Sequence, residues 1–212
     1  MLLCTDLDLL HWEPNLFRDA AAAAQVMMSG TGDLESTTFT PDSGSPADHH
    51  VEAGQVIVLA GAVNGSYPIV GVDGNDLTLS VLYGGLFPAQ GEGEPSPVGS
   101  GSDLTFAVRT FWPQRRLVSD LIHRAAGIEP DDGQTILNVN ELRRPCALGA
   151  LQLIYSALAA AAEDPAELSL RSSLYERMYR RALRSAKVEI DANGDGRADV
   201  VRMLGMVRMS RA

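Results

Sequence analysis

The four residues Asp164-Pro165-Ala166-Glu167 constrain this fold strongly, because they separate two long helical patterns. Proline suits the first position of a helix, the aspartate before it can cap N–H groups, and a glutamate at the third position completes the motif. A second helix therefore begins here, and the preceding helix ends close by. That preceding helix is predicted to begin near Pro145 and to bury Leu148, Leu151, Tyr155, Leu158 and Ala162.

The second helix runs to about residue 187 and is amphipathic. Glu167 with Arg171 and Glu176 with Arg180 are expected to form ion pairs, because residues four apart are neighbours on a helix surface. Its inward face is predicted to hold Leu170, Leu174, Tyr175, Met178, Ala182 and Leu183. Residues 145–187 are therefore predicted to form a helical hairpin.

An acidic turn follows the hairpin, between short strands predicted at 188–190 and 200–203. Oxygen-bearing side chains alternate along this turn and a glycine stands at the sixth position, a spacing typical of a calcium-binding loop. The candidate metal ligands are Asp191, Asn193, Asp195 and Asp199.

The turn departs from an EF-hand in two respects. Arg202 occupies the twelfth position, where an EF-hand has glutamate, and the flanking segments are predicted to be strands. The same residues also suit a plain hairpin in which Gly194 and Gly196 adopt positive φ. The sequence therefore leaves a calcium loop and a metal-free hairpin open.

Between residues 37 and 110 the chain changes to short runs of β-branched and aromatic residues bounded by Gly, Asn, Asp or Pro. Five strands are predicted, at residues 37–40, 55–59, 67–72, 77–82 and 104–108. Strands at this spacing are typical of a small, partly closed barrel. Residues 84–102 are rich in Gly, Pro and Ser and are predicted to form a long loop.

Helical patterns flank the β region. Thr5 and Asp8 are expected to cap a helix that ends before Pro14, whereas residues 19–28 suit either a helix or a strand. Another helix is predicted from Pro113, with Leu117, Leu121, Ile122 and Ala125 inward and Gly127 as its stop.

These elements predict an α+β fold. Residues 1–28 and 111–212 are expected to form a helical core, and residues 29–110 an inserted domain that resembles a β-barrel. The last part of the chain is predicted to be a hairpin followed by a tail.

Charge is distributed unevenly along the chain. Residues 1–109 contain 14 acidic and 2 basic residues, whereas residues 110–212 contain 13 acidic and 15 basic residues. An acidic first half argues against general nucleic-acid binding, which needs Lys and Arg to neutralise phosphates. Halves of opposite charge would allow head-to-tail contacts between copies, which form a ring if the rotation closes. Alternatively, two domains of different charge merely share one chain.

The sequence contains no GxSxG, Walker, dinucleotide-binding glycine or HExxH motif. Cys4 and Cys146 are too few for a disulfide framework, and buried reduced thiols are expected. Cys146 lies near a predicted helix start but has no identifiable base, and the adjacent His49 and His50 would point to opposite faces of a strand. We therefore expect a protein that is not an enzyme.

The first residues lack the basic segment of a secretory signal, and no apolar run approaches ~18 residues. These patterns favour an origin in the cytoplasm.

The chain resembles the head-tail adaptor, or connector, proteins of tailed bacteriophages. The resemblance is carried by residues 147–162, by Tyr-Glu-Arg-Met-Tyr-Arg-Arg-Ala-Leu at 175–183, by the turn at 191–196, and by the β segments at 51–59 and 77–80. These are patterns of fold and not catalytic motifs. The inserted β-domain goes beyond the minimal helical adaptor.

The resemblance implies a structural protein of the virion neck, assembled in the host cytoplasm. Copies would form a dodecameric ring that joins the portal protein to the tail or the next neck protein and extends the DNA channel. The tail residues implied in portal docking are Met203, Leu204, Met206, Val207 and Met209.

Two further expectations accompany the resemblance. An acidic face that includes Asp6, Asp8, Glu35 and Asp48 would repel phosphate and so keep DNA from sticking in the channel. The alternative function is a calcium-binding interaction module, and an enzyme with a dispersed site is a third possibility.

Overall fold

The computed structural model describes residues 2–82, 95–128 and 133–205. Within these ranges the chain contains five α-helices, a closed six-stranded antiparallel barrel and a separate three-stranded sheet. Residues 5–112 form one compact unit, and residues 1–4 with 113–212 form another. We call them the barrel unit and the helical unit. The expected α+β class is confirmed.

The barrel consists of six strands in the order β1-β2-β5-β4-β3-β6. Their bounds are β1 Gln25–Ser36, β2 Thr38–Pro41, β3 Val56–Ala60, β4 Gly65–Asp73, β5 Asp76–Leu79 and β6 Gly99–Thr110. The two longest strands, β1 and β6, pair along their length, and register shifts near Val26 and Gly32 bend β1. This pairing closes the sheet, so the barrel has no open edge.

Alternate residues of the strands fill the barrel interior. On β6 these are Leu104, Phe106 and Val108, and the Phe106 ring meets Phe39 edge-on with centroids 5.0 Å apart. The fully buried neighbours are Ile57, Leu59, Ile69, Leu77 and Leu79. This period of two is the signal that predicted five of the six strands.

The segment 19–28, which suits either a helix or a strand, divides between the two: residue 19 ends a short helix and residues 21–23 form a 3₁₀ turn. The sixth strand, β1, begins at Gln25 and takes only the last four residues of this segment. Its pairing with both β2 and β6 makes the barrel closed and not partly closed as predicted. The predicted loop at 84–102 is too long at its end, because β6 begins at Gly99. Residues 84–94 of that loop lie outside the described ranges.

Two short helices, α1 Asp6–Trp12 and α2 Leu16–Asp19, belong to the barrel unit and not to the helical core predicted for residues 1–28. Three bonds explain this assignment. The Asp6 carboxylate accepts hydrogen bonds from Thr110 Oγ1 at 2.6 Å and from Phe111 N at 2.9 Å, and Arg109 donates to the Phe17 carbonyl. The predicted cap of α1 by Thr5 and Asp8 is confirmed as a capping box.

The helical unit is built around α3 Trp112–Ala125, which begins at the unit boundary, α4 Val139–Ala161 and α5 Ala166–Ser185. Its small antiparallel sheet has the order β7-β8-β9, with β7 Thr135–Ile136, β8 Lys187–Asp191 and β9 Val200–Met203. None of the helices in the described ranges is long and apolar enough to cross a membrane.

Several predicted helix ends are confirmed. Asp164 Oδ1 accepts a hydrogen bond from Ala166 N at the start of α5. Gly127, with φ of +68°, ends α3, and Ile128 N donates back to the His123 carbonyl as in a Schellman motif.

Helix α4 begins at Val139 and not near Pro145, which lies inside the helix. The Asn138 side chain explains the earlier start, because it bonds the β8 backbone at Lys187 O and Glu189 N. Proline gives up one backbone bond, but burial of the surrounding side chains supports the helix.

The predicted inward faces of α3 and α5 are partly wrong. Leu117 and Leu121 on α3, and Leu170 and Leu174 on α5, are exposed. Ile122 on α3 and Tyr175 on α5 are buried as predicted, and the Tyr175 ring stacks on Tyr155. α3 also buries Arg115, Val118 and Ser119, which the pattern did not predict. Both helices carry apolar residues on two faces, so periodicity alone did not show which face the neighbouring elements cover.

Candidate functional site

The acidic turn between β8 and β9 is held by hydrogen bonds from its own backbone. Asp191 lies at the centre: its Oδ1 accepts from Gly194 N at 2.7 Å and from Asn193 N at 3.2 Å, and its Oδ2 accepts from Gly196 N at 2.8 Å. The bond from Gly196, with those from Gly194 and Asn193, holds the pKa of Asp191 below its ordinary value, against the opposing effect of burial.

The other three predicted ligands lie in the same turn. Asn193 Oδ1 accepts from Asp195 N at 2.9 Å, and Asp195 Oδ1 accepts from Arg197 N at 2.8 Å. Asp199 accepts from Ala192 N through Oδ2 and from the Asn193 amide through Oδ1. The four side chains therefore brace one turn.

This geometry agrees with the hairpin interpretation, because Gly194 and Gly196 both have φ of +80°. Across the described ranges, no group of three or more His, Cys, Asp or Glu side chains is arranged to hold a metal ion. Each carboxylate oxygen that accepts one N–H retains a second lone pair, so calcium binding at this turn stays a prediction.

Of the five residues predicted for the docking tail, the structure describes two. Met203 is the last residue of β9, opposite Lys187, and Leu204 N donates to the Ala186 carbonyl. Both residues therefore belong to the small sheet or its border. Met206, Val207 and Met209 lie outside the described residues.

The outward face of α5 is a candidate interaction surface that the sequence pattern does not predict. Leu170 is 71% exposed and Leu174 is 45% exposed. Arg177, Arg181 and Arg184 continue the same line, at alternating spacings of four and three residues, and are exposed. We call these five residues the α5 outer face. The amphipathic pattern predicts that Leu170 and Leu174 are buried, and the structure shows both exposed.

Two acids proposed for a channel lining have structural roles. Asp6 is completely buried in its bonds to Thr110 and Phe111, and Asp8 closes the capping box of α1. The channel hypothesis is therefore wrong for Asp6, because a buried carboxylate cannot face DNA. Glu35 and Asp48 are exposed.

The two adjacent histidines and Cys146 lie in different environments. His49 and His50 are exposed in a turn and not in a strand. Cys146 is buried on α4, beside Cys4 and Ser119.

Comparisons with known proteins leave the family open. No family model matches the chain, and no match was found among curated proteins or among solved structures.

Proposed function

We propose that this protein is a structural component of the neck of a tailed bacteriophage. It forms a ring of identical copies that joins the portal protein to the tail or the next neck protein and extends the DNA channel. The observation that carries the proposal is the α5 outer face, where two leucines with no cover stand in line with three arginines. Exposed apolar residues beside charged ones are typical of contact surfaces between proteins.

The occupant of this face is a second copy of the chain, offered through its barrel unit. The barrel unit carries 14 acidic and 2 basic residues, and the helical unit 13 acidic and 15 basic residues. The net charges are thus −12 and +2. A basic face on one copy and an acidic unit on the next attract each other, and such a head-to-tail contact repeats into a ring.

The proposed role needs no catalytic step in this chain. Its partners are other copies, the portal and the next neck protein, and its location is the virion after assembly in the host cytoplasm. In the barrel unit, the exposed Glu35 and Asp48 remain candidates for repelling DNA that passes through the ring. The docking segment would include residues 206–212, since Leu204 is already bonded to Ala186.

Substituting both leucines of the α5 outer face by glutamate, Leu170→Glu with Leu174→Glu, is expected to abolish ring formation. The change removes apolar area and places two negative charges opposite an acidic unit, so attraction becomes repulsion. Electron microscopy and light scattering of the full chain, alone and mixed with its portal, measure the result. The unchanged protein should give rings and the variant monomers.

A matched control adds the same two charges elsewhere. Ala157 and Ala160 are exposed on α4, and the variant with both changed to glutamate should still form rings. Rings from the Leu170→Glu, Leu174→Glu protein would exclude this face as the contact. If the unchanged chain stays monomeric with its portal present at high concentration, the adaptor proposal itself fails.

A calcium-binding interaction module is the second candidate, favoured by the preformed turn around Asp191. Calorimetric titration of the full chain with calcium should then show one saturable site, which Asp191→Ala and Asp195→Ala each remove. Asp33→Ala is the control, because Asp33 is exposed on β1 in the barrel unit. Absence of heat at millimolar calcium, the weak end of natural calcium sites, would leave the turn as a hairpin only.

A further inference from the structure

Two thiols that are far apart in the chain meet in the helical unit. Cys4 and Cys146 are separated by 142 residues, yet their Sγ atoms lie 2.7 Å apart. Both side chains are buried, with at most 2% of their surface exposed. A disulfide bond is about 2.05 Å long, so a shift of roughly 0.7 Å would join the sulfurs.

The surroundings hold both cysteines in this position. Leu3 N donates to Ser119 Oγ at 3.0 Å, and that hydroxyl lies 3.4 Å from Cys146 Sγ. The Arg115 side chain donates to the Cys4 carbonyl at 3.0 Å. These contacts fix the Cys4 backbone and the Cys146 sulfur, so the two sulfurs are held within reach of each other.

We infer that Cys4 and Cys146 are a site of reversible oxidative cross-linking, with a hydroperoxide as the oxidant. One thiolate attacks the peroxide oxygen, which leaves a sulfenic acid and releases water. The second thiol then attacks the sulfenic sulfur, the S–S bond forms and a second water leaves. Two thiols are oxidised and one hydrogen peroxide is reduced to two waters, so the reaction balances.

The cross-link would have a defined structural effect. The helical unit is assembled from two separate pieces, residues 1–4 and 113–212, and the bond would join them covalently. It would also close a loop that contains the whole of residues 5–112, which reduces the freedom of the unfolded chain. This inference does not depend on the proposed neck function.

The test uses the full chain, reduced or treated with hydrogen peroxide, then denatured, alkylated at its thiols and digested. We expect both cysteines to lose alkylation together, a peptide pair that contains both residues, and recovery after treatment with a phosphine reductant. The Tm of the treated protein should rise by about 5 °C or more, and the reductant should reverse the rise.

Single variants separate a cross-link from independent oxidation. In Cys4→Ser and in Cys146→Ala the remaining cysteine should give no cross-linked peptide, and peroxide should leave the Tm without the reversible rise. The inference is overturned if both cysteines of the unchanged protein remain fully alkylated after peroxide. It is also overturned if Cys4 loses alkylation equally in Cys146→Ala.

Discussion

Replacing Asp6 by alanine is expected to destabilise the barrel unit by about 3 kcal/mol, because two buried donors lose a charged acceptor. The carboxylate is fully buried and accepts from the Thr110 hydroxyl at 2.6 Å and from Phe111 N at 2.9 Å. Thr110 and Phe111 are both buried, so removing the acceptor leaves the desolvation cost of these groups uncompensated. For a unit of this size such a loss lowers the Tm by more than about 10 °C.

Asparagine at this position should cost less than alanine, since its single carbonyl oxygen can still accept one of the two bonds. The control is Glu35→Ala, which changes the same net charge on an exposed strand position and should alter stability by no more than about 0.5 kcal/mol. Thermal unfolding and hydrogen exchange of the barrel amides measure the series. An Asp6→Ala barrel as stable as that of Glu35→Ala would contradict this account.

Asp6 and Glu35 also differ in what they can contribute to the proposed acidic channel. Asp6 and Glu35 contribute equally to the net charge counted from the sequence, yet only Glu35 is exposed. Defects in DNA passage caused by changing Asp6 would therefore follow from a damaged barrel. A test of channel charge should use exposed acids such as Glu35 and Asp48.

Local signals in the sequence were sufficient where a few neighbouring residues determine the structure. The cap at Thr5 and Asp8, the stop at Gly127, and the ion pairs of Arg171 and Arg180 all involve partners within five residues in the chain. Such motifs depend little on tertiary context, so they can be predicted without knowing what packs against them.

Features that depend on distant partners could not be predicted. β1 is a strand because β2 and β6 pair with it, although its glycines and alternating pattern are weak. α4 starts early because Asn138 reaches β8, some fifty residues further along the chain. The meeting of Cys4 and Cys146 is the extreme case, since nothing near either residue indicates the other.

The α5 outer face also depends on tertiary packing, so it could not be predicted from the sequence. The helical pattern predicts that Leu170, Leu174 and Tyr175 all face inward, whereas of these three only Tyr175 is buried, with its ring stacked on that of Tyr155. The acidic turn, by contrast, was located correctly from Asp191 and its glycines. Whether that turn binds calcium depends on ligand geometry, which residue spacing does not determine.

Helices α3, α4 and α5 meet at Gly149, and a side chain added at this position is expected to destabilise the helical unit strongly. A Cβ added to Gly149 would lie 2.7 Å from Val118 Cγ1 of α3 and 3.1 Å from Tyr179 Cε2 of α5. Val118 is buried and β-branched, so it cannot turn aside without changing its rotamer.

Gly149→Val should therefore destabilise the helical unit by about 3 kcal/mol, even though valine gains roughly 0.4 kcal/mol over glycine in helix propensity. Ala157→Val is the matched control, because it introduces the same side chain at an exposed position of α4 and costs only about 0.6 kcal/mol of propensity. Urea unfolding followed by helical circular dichroism compares the two. Equal midpoints for both variants would mean that α3 and α5 can move away from Gly149, and that the three-helix contact is not rigidly packed.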